Sequence, residues 1–72
     1  MIIVNIIPLV HDKTIAFMEQ NGYKYVKKMA MKLWFELPEG ASSDLKAEAD
    51  KAKALLKADE IGKLYTVTTE VG

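Results

Sequence analysis

Hydrophobic and polar residues follow two repeating patterns along the chain, one typical of strands and one typical of helices. Residues 2–7 (Ile-Ile-Val-Asn-Ile-Ile) are mostly β-branched and apolar on both faces, which predicts a central strand that ends before Pro8. Residues 29–37 carry a large apolar side chain at every second position, which predicts a second long strand. Shorter strands are predicted at residues 23–27 and 64–71. The turn between the middle two strands is expected near residues 27 and 28.

A short amphipathic helix is predicted between the first two strands. Asp12 is a suitable N-cap for it, and the apolar positions recur at helical spacing as far as Gln20. Asn21 and Gly22 then supply residues that tolerate the left-handed backbone conformation at the end of a helix. The pair Asn-Gly is also typical of a hairpin turn, but residues 14–18 do not alternate, so the pattern favours a helix.

A second, longer helix is predicted after the break at residues 38–40. Ser42 or Ser43 is expected to cap it, with Asp44 in its first turn, where the helix dipole favours an acidic side chain. Glu48 is expected to face solvent, and Gly62 is expected to end the region before the last strand. The buried stripe of this helix is expected to contain Leu45, Ala49, Ala52, Leu55 and Leu56.

The order of these elements is β-α-β-β-α-β, within one domain that spans residues 1–72. With right-handed crossovers, this order resembles the ferredoxin-like α+β sandwich, a four-stranded antiparallel sheet with two helices on one face. The resemblance implies that strands one and three are central and that strands two and four form the edges. It concerns the fold alone, because one fold supports many functions.

The sheet face without helices is the most informative surface that the sequence predicts. If Met31, Leu33 and Phe35 point at the helices, the intervening side chains point the other way, and Asn5 belongs with them on the first strand. The predicted binding face therefore consists of Trp34, Lys32, Asn5, Ile3 and Ile7. A tryptophan beside two isoleucines is too apolar to remain uncovered, so a second copy, a partner or the C-terminal residues should cover it. The alternative is a reversed strand parity, with Trp34 partly in the core.

Composition and charge narrow the range of functions. Ten basic residues balance ten acidic ones, and every basic residue is lysine, which argues against a strongly basic nucleic-acid binder. Cysteine is absent and histidine occurs once, so no disulfide, metal site or cofactor is predicted. The apolar start of the chain has neither the basic region of a signal peptide nor the length of a membrane span, so a cytoplasmic location without membrane contact is expected.

Single-stranded nucleic acid is an alternative ligand, because aromatic and basic side chains alternate near the middle of the chain. Bases could stack on the rings while phosphates meet the ammonium groups. The residues that would make these contacts, besides Trp34, are Tyr23, Lys24, Tyr25, Lys27 and Lys28. Lysines on an edge strand also prevent aggregation between sheets, which accounts for them without a ligand.

A small oligomeric enzyme with its site between subunits is the other alternative. His11 and Asp12 are adjacent, but neighbouring side chains diverge, so a cap and its neighbour explain them better than a catalytic pair does. No catalytic residues are therefore assigned. The favoured interpretation is a non-catalytic accessory, regulatory or inhibitor protein that binds itself, as a homodimer, or a protein partner through the open sheet face.

Overall fold

The computed structural model describes residues 1–41 and 43–72, and these form four strands and three helices. The strands are β1 (Ile2–Asn5), β2 (Lys24–Met29), β3 (Lys32–Glu36) and β4 (Thr68–Val71). The helices are α1 (His11–Gln20), α2 (Leu45–Ala58) and α3 (Glu60–Leu64). A 3-10 turn (Pro8–Val10) joins β1 to α1.

The four strands form one antiparallel sheet in the order β2-β3-β1-β4, so the chain is of the α+β class. The order places β1 and β3 in the centre and β2 and β4 at the edges, as the sequence predicted. The apolar character of β1 on both faces agrees with this position, because side chains of the neighbouring strands cover Ile3 on the face away from the helices.

The parity predicted for β1 and β3 is confirmed. Ile2 and Val4 of β1 and Leu33 and Phe35 of β3 are fully buried in the core cluster, whereas Trp34 is half-buried on the opposite face. Helices α1 and α2 add apolar side chains to the same core. The buried residues from the helices, including α3, and from the segments that join the elements are Ile6, Val10, Met18, Tyr23, Ala49, Ala52, Leu56, Ile61 and Val67.

The hairpin between β2 and β3 differs from the prediction. The turn lies at Ala30 and Met31 rather than near residues 27 and 28, and Ala30 adopts a positive φ of 53°. Met31 therefore lies in the turn and is exposed, instead of pointing at the helices. The register of β2 also shifts between Tyr25 and Lys27, which leaves Val26 as a bulge. The absence of a Gly, Asn or Pro signal at this turn is the reason that the sequence did not locate it.

The N-terminus of α1 also differs from the prediction. Asp12 is not the N-cap; it lies in the first turn of a helix that begins at His11. The 3-10 turn accounts for this, because Val10 N–H donates to the Ile7 carbonyl and the chain enters α1 directly from that turn. The other end agrees with the sequence: Gly22 has a φ of 92°, in the left-handed region.

Asp44, rather than a serine, caps α2. Its carboxylate oxygen Oδ1 accepts hydrogen bonds from the backbone N–H groups of Lys46 at 3.1 Å and Ala47 at 3.2 Å. Ser43 is exposed and precedes the cap, and Ser42 lies outside the described residues. A charged acceptor at the positive end of the helix dipole explains why this position begins the helix.

A short third helix, which the sequence did not predict, occupies the region after α2. Gly62 lies within α3 instead of ending the helical region, and the last strand begins only at Thr68. Asp59 caps α3 by accepting a hydrogen bond from Ile61 N–H at 3.2 Å. A Cβ atom on Gly62 would lie 2.5 Å from the Lys57 Cα atom, so the absence of a side chain is what allows α3 to pack closely against α2.

Candidate functional site

The open face is the side of the sheet that lies away from the core and its helices. Its centre is formed by two cross-strand pairs, Ile3 with Trp34 and Asn5 with Lys32. Four of the five predicted binding residues are therefore adjacent on this face. Ile7 lies beyond the end of β1 and packs against the core cluster, because the strand ends at Asn5 and the chain then turns towards Pro8.

Trp34 is held on the open face by its neighbours on both sides. The Lys27 Nζ atom lies 4.9 Å from the centroid of the Trp34 ring, a cation–π contact worth about 0.5–1 kcal/mol at an exposed site. Ile3 lies on the other side and is buried, and Gly72 passes so close to it that an added Cβ would meet the Ile3 side chain at 2.6 Å. These contacts order the indole while leaving part of it accessible.

A shallow depression of about 590 Å³ lies beside the indole, at the hairpin end of the open face. Two methionines at this hairpin are unusually accessible: Met29 is 63% exposed and Met31 is 47% exposed. The residues that line the depression are Asn5, Met29, Ala30, Met31, Lys32 and Trp34. Methionine is flexible and polarizable, so such a lining can adapt to an apolar side chain of a binding partner.

Next to this apolar area, a polar network crosses three strands. The Lys32 Nζ atom donates to Glu70 Oε1 at 2.8 Å, and Asn5 also hydrogen-bonds the Glu70 carboxylate. The Lys32 hydrogen bond is the largest cause of a Glu70 pKa below its ordinary value, and burial, the second-largest cause, acts in the opposite direction. The charge of Lys32 and the hydrogen bond with Asn5 then add to the lowering. The pair compensates the charge of Lys32, which lines the depression, and both groups remain solvated.

The Glu70 carboxyl group gives a direct test of this network. In the variant Lys32→Met, the pKa of Glu70 should rise towards its ordinary value, because the hydrogen bond that contributes most to the shift is removed. Because the folded state lowers this pKa, the pair stabilises the protein at higher pH, and the stabilisation is lost as the pH falls through the Glu70 pKa. Carboxyl ¹³C NMR against pH measures the shift, with Lys46→Met as a control. An unchanged Glu70 titration in Lys32→Met would contradict the network.

The two tyrosines proposed for nucleic-acid contact are not on the open face. Tyr23 is only 4% exposed and belongs to the core cluster, so it cannot stack on a base. Tyr25 lies opposite Phe35 and packs edge-on against its ring at 6.0 Å, which places it on the helix side. These placements were not readable from the sequence, which reveals neither the bulge at Val26 nor the burial of Tyr23. Among the residues that the structure describes, Trp34 is the one aromatic side chain on the open face.

The lysines of β2 are divided between the two sides of the sheet. Lys24 lies opposite Glu36 and Lys27 lies over Trp34, so both belong to the open face. Lys28 lies opposite Leu33, on the helix side, and is exposed at the edge of the sheet. The open face therefore carries mixed charge, with Lys24, Lys27 and Lys32 beside Glu36 and Glu70, instead of a purely basic track.

His11 has a structural role that the sequence did not reveal. Its ring is almost completely buried, and its Nε2 atom lies 2.9 Å from the Ile6 carbonyl oxygen. Nε2 is therefore the protonated nitrogen of the ring, donating to that carbonyl. Asp12 is exposed, so the two side chains do not act together. For the enzyme alternative, burial makes the His11 ring inaccessible to a substrate at the surface.

Glu48 is the other buried polar residue that differs from the prediction. It was expected to face solvent, but it is 6% exposed and faces the core near Tyr23. Burial raises the pKa of the Tyr23 hydroxyl, and the nearby Glu48 carboxylate adds to the rise. The signal was present in the sequence, because Glu48 lies three residues after Leu45 and four before Ala52, at helical spacing on the apolar stripe.

Metal binding and membrane crossing are two further properties on which the described residues bear. Within residues 1–41 and 43–72, no three His, Cys, Asp or Glu side chains gather closely enough to hold a metal ion. None of the helices in this described part of the chain has the length and apolar character needed to cross a bilayer. No protein-family model, curated protein or solved structure matches the chain.

Proposed function

We propose that the chain is a ferredoxin-like domain that acts by binding another protein molecule, a second copy or a different chain, through its open face. The strand order and the placement of the helices on one side of the sheet support the ferredoxin-like assignment. In such an arrangement the helices complete the core on one side, and the opposite side of the sheet is available for binding.

The observation that carries the proposal is the combination of an ordered tryptophan with exposed methionines. Trp34 is fixed by Lys27 and Ile3, and Met29 and Met31 flank the depression beside it. Aromatic and methionine side chains are enriched at the centres of protein interfaces, where a rigid ring contributes large contact area at small entropic cost. The Lys32–Glu70 pair then supplies a polar border to the apolar centre.

Charge and aromatic content favour a protein over nucleic acid as the ligand. Binding to a single strand would need several stacking rings and phosphate contacts, whereas the open face offers Trp34 alone among the described aromatic residues. Each lysine on the open face already has a neighbour within the chain. Lys27 lies over the Trp34 ring, Lys24 lies opposite Glu36, and Lys32 is paired with Glu70. A partly apolar surface of mixed charge fits a protein surface better than a phosphate backbone.

Site-specific photocrosslinking in cells that make the protein tests this proposal. The photoreactive residue p-benzoylphenylalanine replaces Met29, at the depression, or Leu64, which is 73% exposed but lies on the helix side, as a matched control. We expect discrete protein adducts from position 29 and none of these adducts from position 64. The additional substitution Trp34→Ala should reduce the yield at position 29 several-fold, because an aromatic anchor typically contributes about 2 kcal/mol or more.

The composition of the adducts decides the remaining alternatives. An adduct that contains two copies of this chain identifies self-association, and one other protein identifies a partner. Adducts whose added mass is removed by nuclease would replace the proposal by nucleic-acid binding. Equal adduct yields at positions 29 and 64, or no loss with Trp34→Ala, would reject the open face as the interface.

A further inference from the structure

The edge strand β4 has a free row of backbone hydrogen-bonding groups. Gly72 N–H donates to the Met1 carbonyl. In an antiparallel pair of strands, every second residue directs its N–H and carbonyl groups at the neighbouring strand. Counting back from Gly72, the residues of β4 that direct these groups at β1 are Glu70 and Thr68. The N–H and carbonyl groups of Thr69 and Val71 consequently point away from the sheet. Helix α2 contacts the inner face of this strand, where the Thr69 hydroxyl donates to the Ala49 carbonyl at 2.8 Å. This contact uses the Thr69 side chain and leaves the outward backbone groups of β4 unchanged.

The two edges of the sheet differ in their protection against pairing with another strand. Lys24, Lys27 and Lys28 lie on β2, and the bulge at Val26 interrupts its regular geometry, two features that oppose edge-to-edge association. By contrast, β4 contains neither lysine nor proline, and it pairs with β1 without a register shift. Its one charge, Glu70, is compensated within the chain by Lys32.

We propose that β4 pairs antiparallel with β4 of a second copy, joining two sheets into one of eight strands. A two-fold axis at Thr69 sets the register: Thr69 faces Thr69 of the other copy, Val67 faces Val71, and Thr68 faces Glu70. This register uses the outward groups of Thr69 and Val71 in both copies, and it requires Val67, which directly precedes β4, to continue the same alternation. It also places a hydroxyl donor opposite each Glu70 carboxylate on the open side of the sheet.

Electrostatics selects this register over its nearest neighbour. Moving the axis by one residue to Glu70 would set two carboxylates directly opposite each other, in the closely spaced type of pair where like charges destabilise. With the axis at Thr69, Glu70 meets a neutral hydroxyl and keeps its bond to Lys32. This surface is separate from the depression at Met29 and Trp34, so the two open faces would lie side by side on the joined sheet.

Sedimentation equilibrium and amide hydrogen exchange, from micromolar to millimolar protein, test the pairing. The average mass should rise from 8.1 kDa towards twice that value. The amides of Thr69 and Val71 should become protected as the mass rises, while amides on the β2 edge should not. A monomer throughout this range, or protection confined to other residues, would overturn the proposal.

Substitutions at Thr68 test the register without disturbing the core, because this residue is exposed. Thr68→Glu should weaken dimerisation roughly tenfold, since two like-charge pairs form per dimer, and Thr68→Lys should preserve or strengthen it. Val71→Pro removes an outward N–H group and should weaken the dimer, whereas Val71→Thr retains that group and should not. A dimer insensitive to Thr68→Glu and Val71→Pro but lost with Trp34→Ala would overturn edge pairing and leave the open-face function standing.

Discussion

Replacing Phe35 with alanine is expected to unfold most of the protein, whereas replacing its neighbour Trp34 is expected to leave the fold intact. Phe35 is fully buried between the sheet and the helices and contacts Tyr25 edge-on. Truncating such a ring costs about 3–5 kcal/mol. A domain of this size has a total stability of only about 3–5 kcal/mol. The variant Phe35→Ala should therefore lack a cooperative transition in a urea titration followed by circular dichroism.

The variant Trp34→Ala is the matched control, because it truncates an aromatic residue one position earlier on the same strand. Trp34 is half-buried on the open face, and its loss removes the cation–π contact with Lys27 and part of the cover over Ile3. We expect a loss of about 1–2 kcal/mol and a cooperative transition. If Trp34→Ala destabilised the protein as much as Phe35→Ala, Trp34 would be a core residue and the open face would lose its central element.

The variant Gly62→Ala should destabilise the protein by about 2–3 kcal/mol, although alanine is the better helix former. Ordinarily, Gly→Ala within a helix stabilises by up to about 1 kcal/mol. Here the added methyl group would lie 2.5 Å from the Lys57 Cα atom and even closer to the Leu56 carbonyl oxygen. Both are backbone atoms of α2 and cannot rotate away, so α3 must move as a unit. The measurement is the free energy of unfolding in urea.

Gly40→Ala is the control for Gly62→Ala, because it introduces the same methyl group at a glycine without close packing. Gly40 has a φ of 78°, and apart from its chain neighbours no group of residues 1–41 and 43–72 lies within 4 Å of an added Cβ atom. Backbone strain of about 1 kcal/mol is therefore the expected effect. The larger loss of unfolding free energy should therefore come from Gly62→Ala, which creates a clash. Gly40→Ala should cost less, although Gly40 has a positive φ. A Gly62→Ala protein as stable as the wild type would show that α3 is not seated against α2 in solution.

Much of the central sheet could be predicted from the sequence, because the relevant pattern is strong there. The alternation in β3 gave the correct side for Leu33, Trp34 and Phe35, and the apolar run in β1 gave its central position. The helix boundaries were less accessible. Asp12 and Ser43 are both suitable capping residues by type. At α1, the 3-10 turn before the helix places Asp12 inside the first turn, and at α2 the neighbouring Asp44 caps the helix in place of Ser43. Both outcomes depend on how the chain enters the helix.

The sequence predicted the residues at the centre of the open face but not the residues around them. Ile3, Asn5, Lys32 and Trp34 follow from strand parity alone. By contrast, the positions of Tyr25 and Lys27 depend on a one-residue shift in register, which no period-two pattern reveals. The exposure of Met29 and Met31 depends on where the hairpin turns, and there the chain lacks the usual turn residues. Long-range packing, and not local preference, decided these features.

The bulge at Val26 has a consequence for how this chain can change by mutation. Loss of this one codon would preserve every cross-strand pair between β2 and β3, because Tyr25 would still face Phe35 and Lys27 would still face Trp34. The deletion would be nearly silent for the core and for the open face. It would, however, straighten the β2 edge and make it a better template for other strands. Selection to retain this residue would therefore act through solubility in a crowded cell and not through folding.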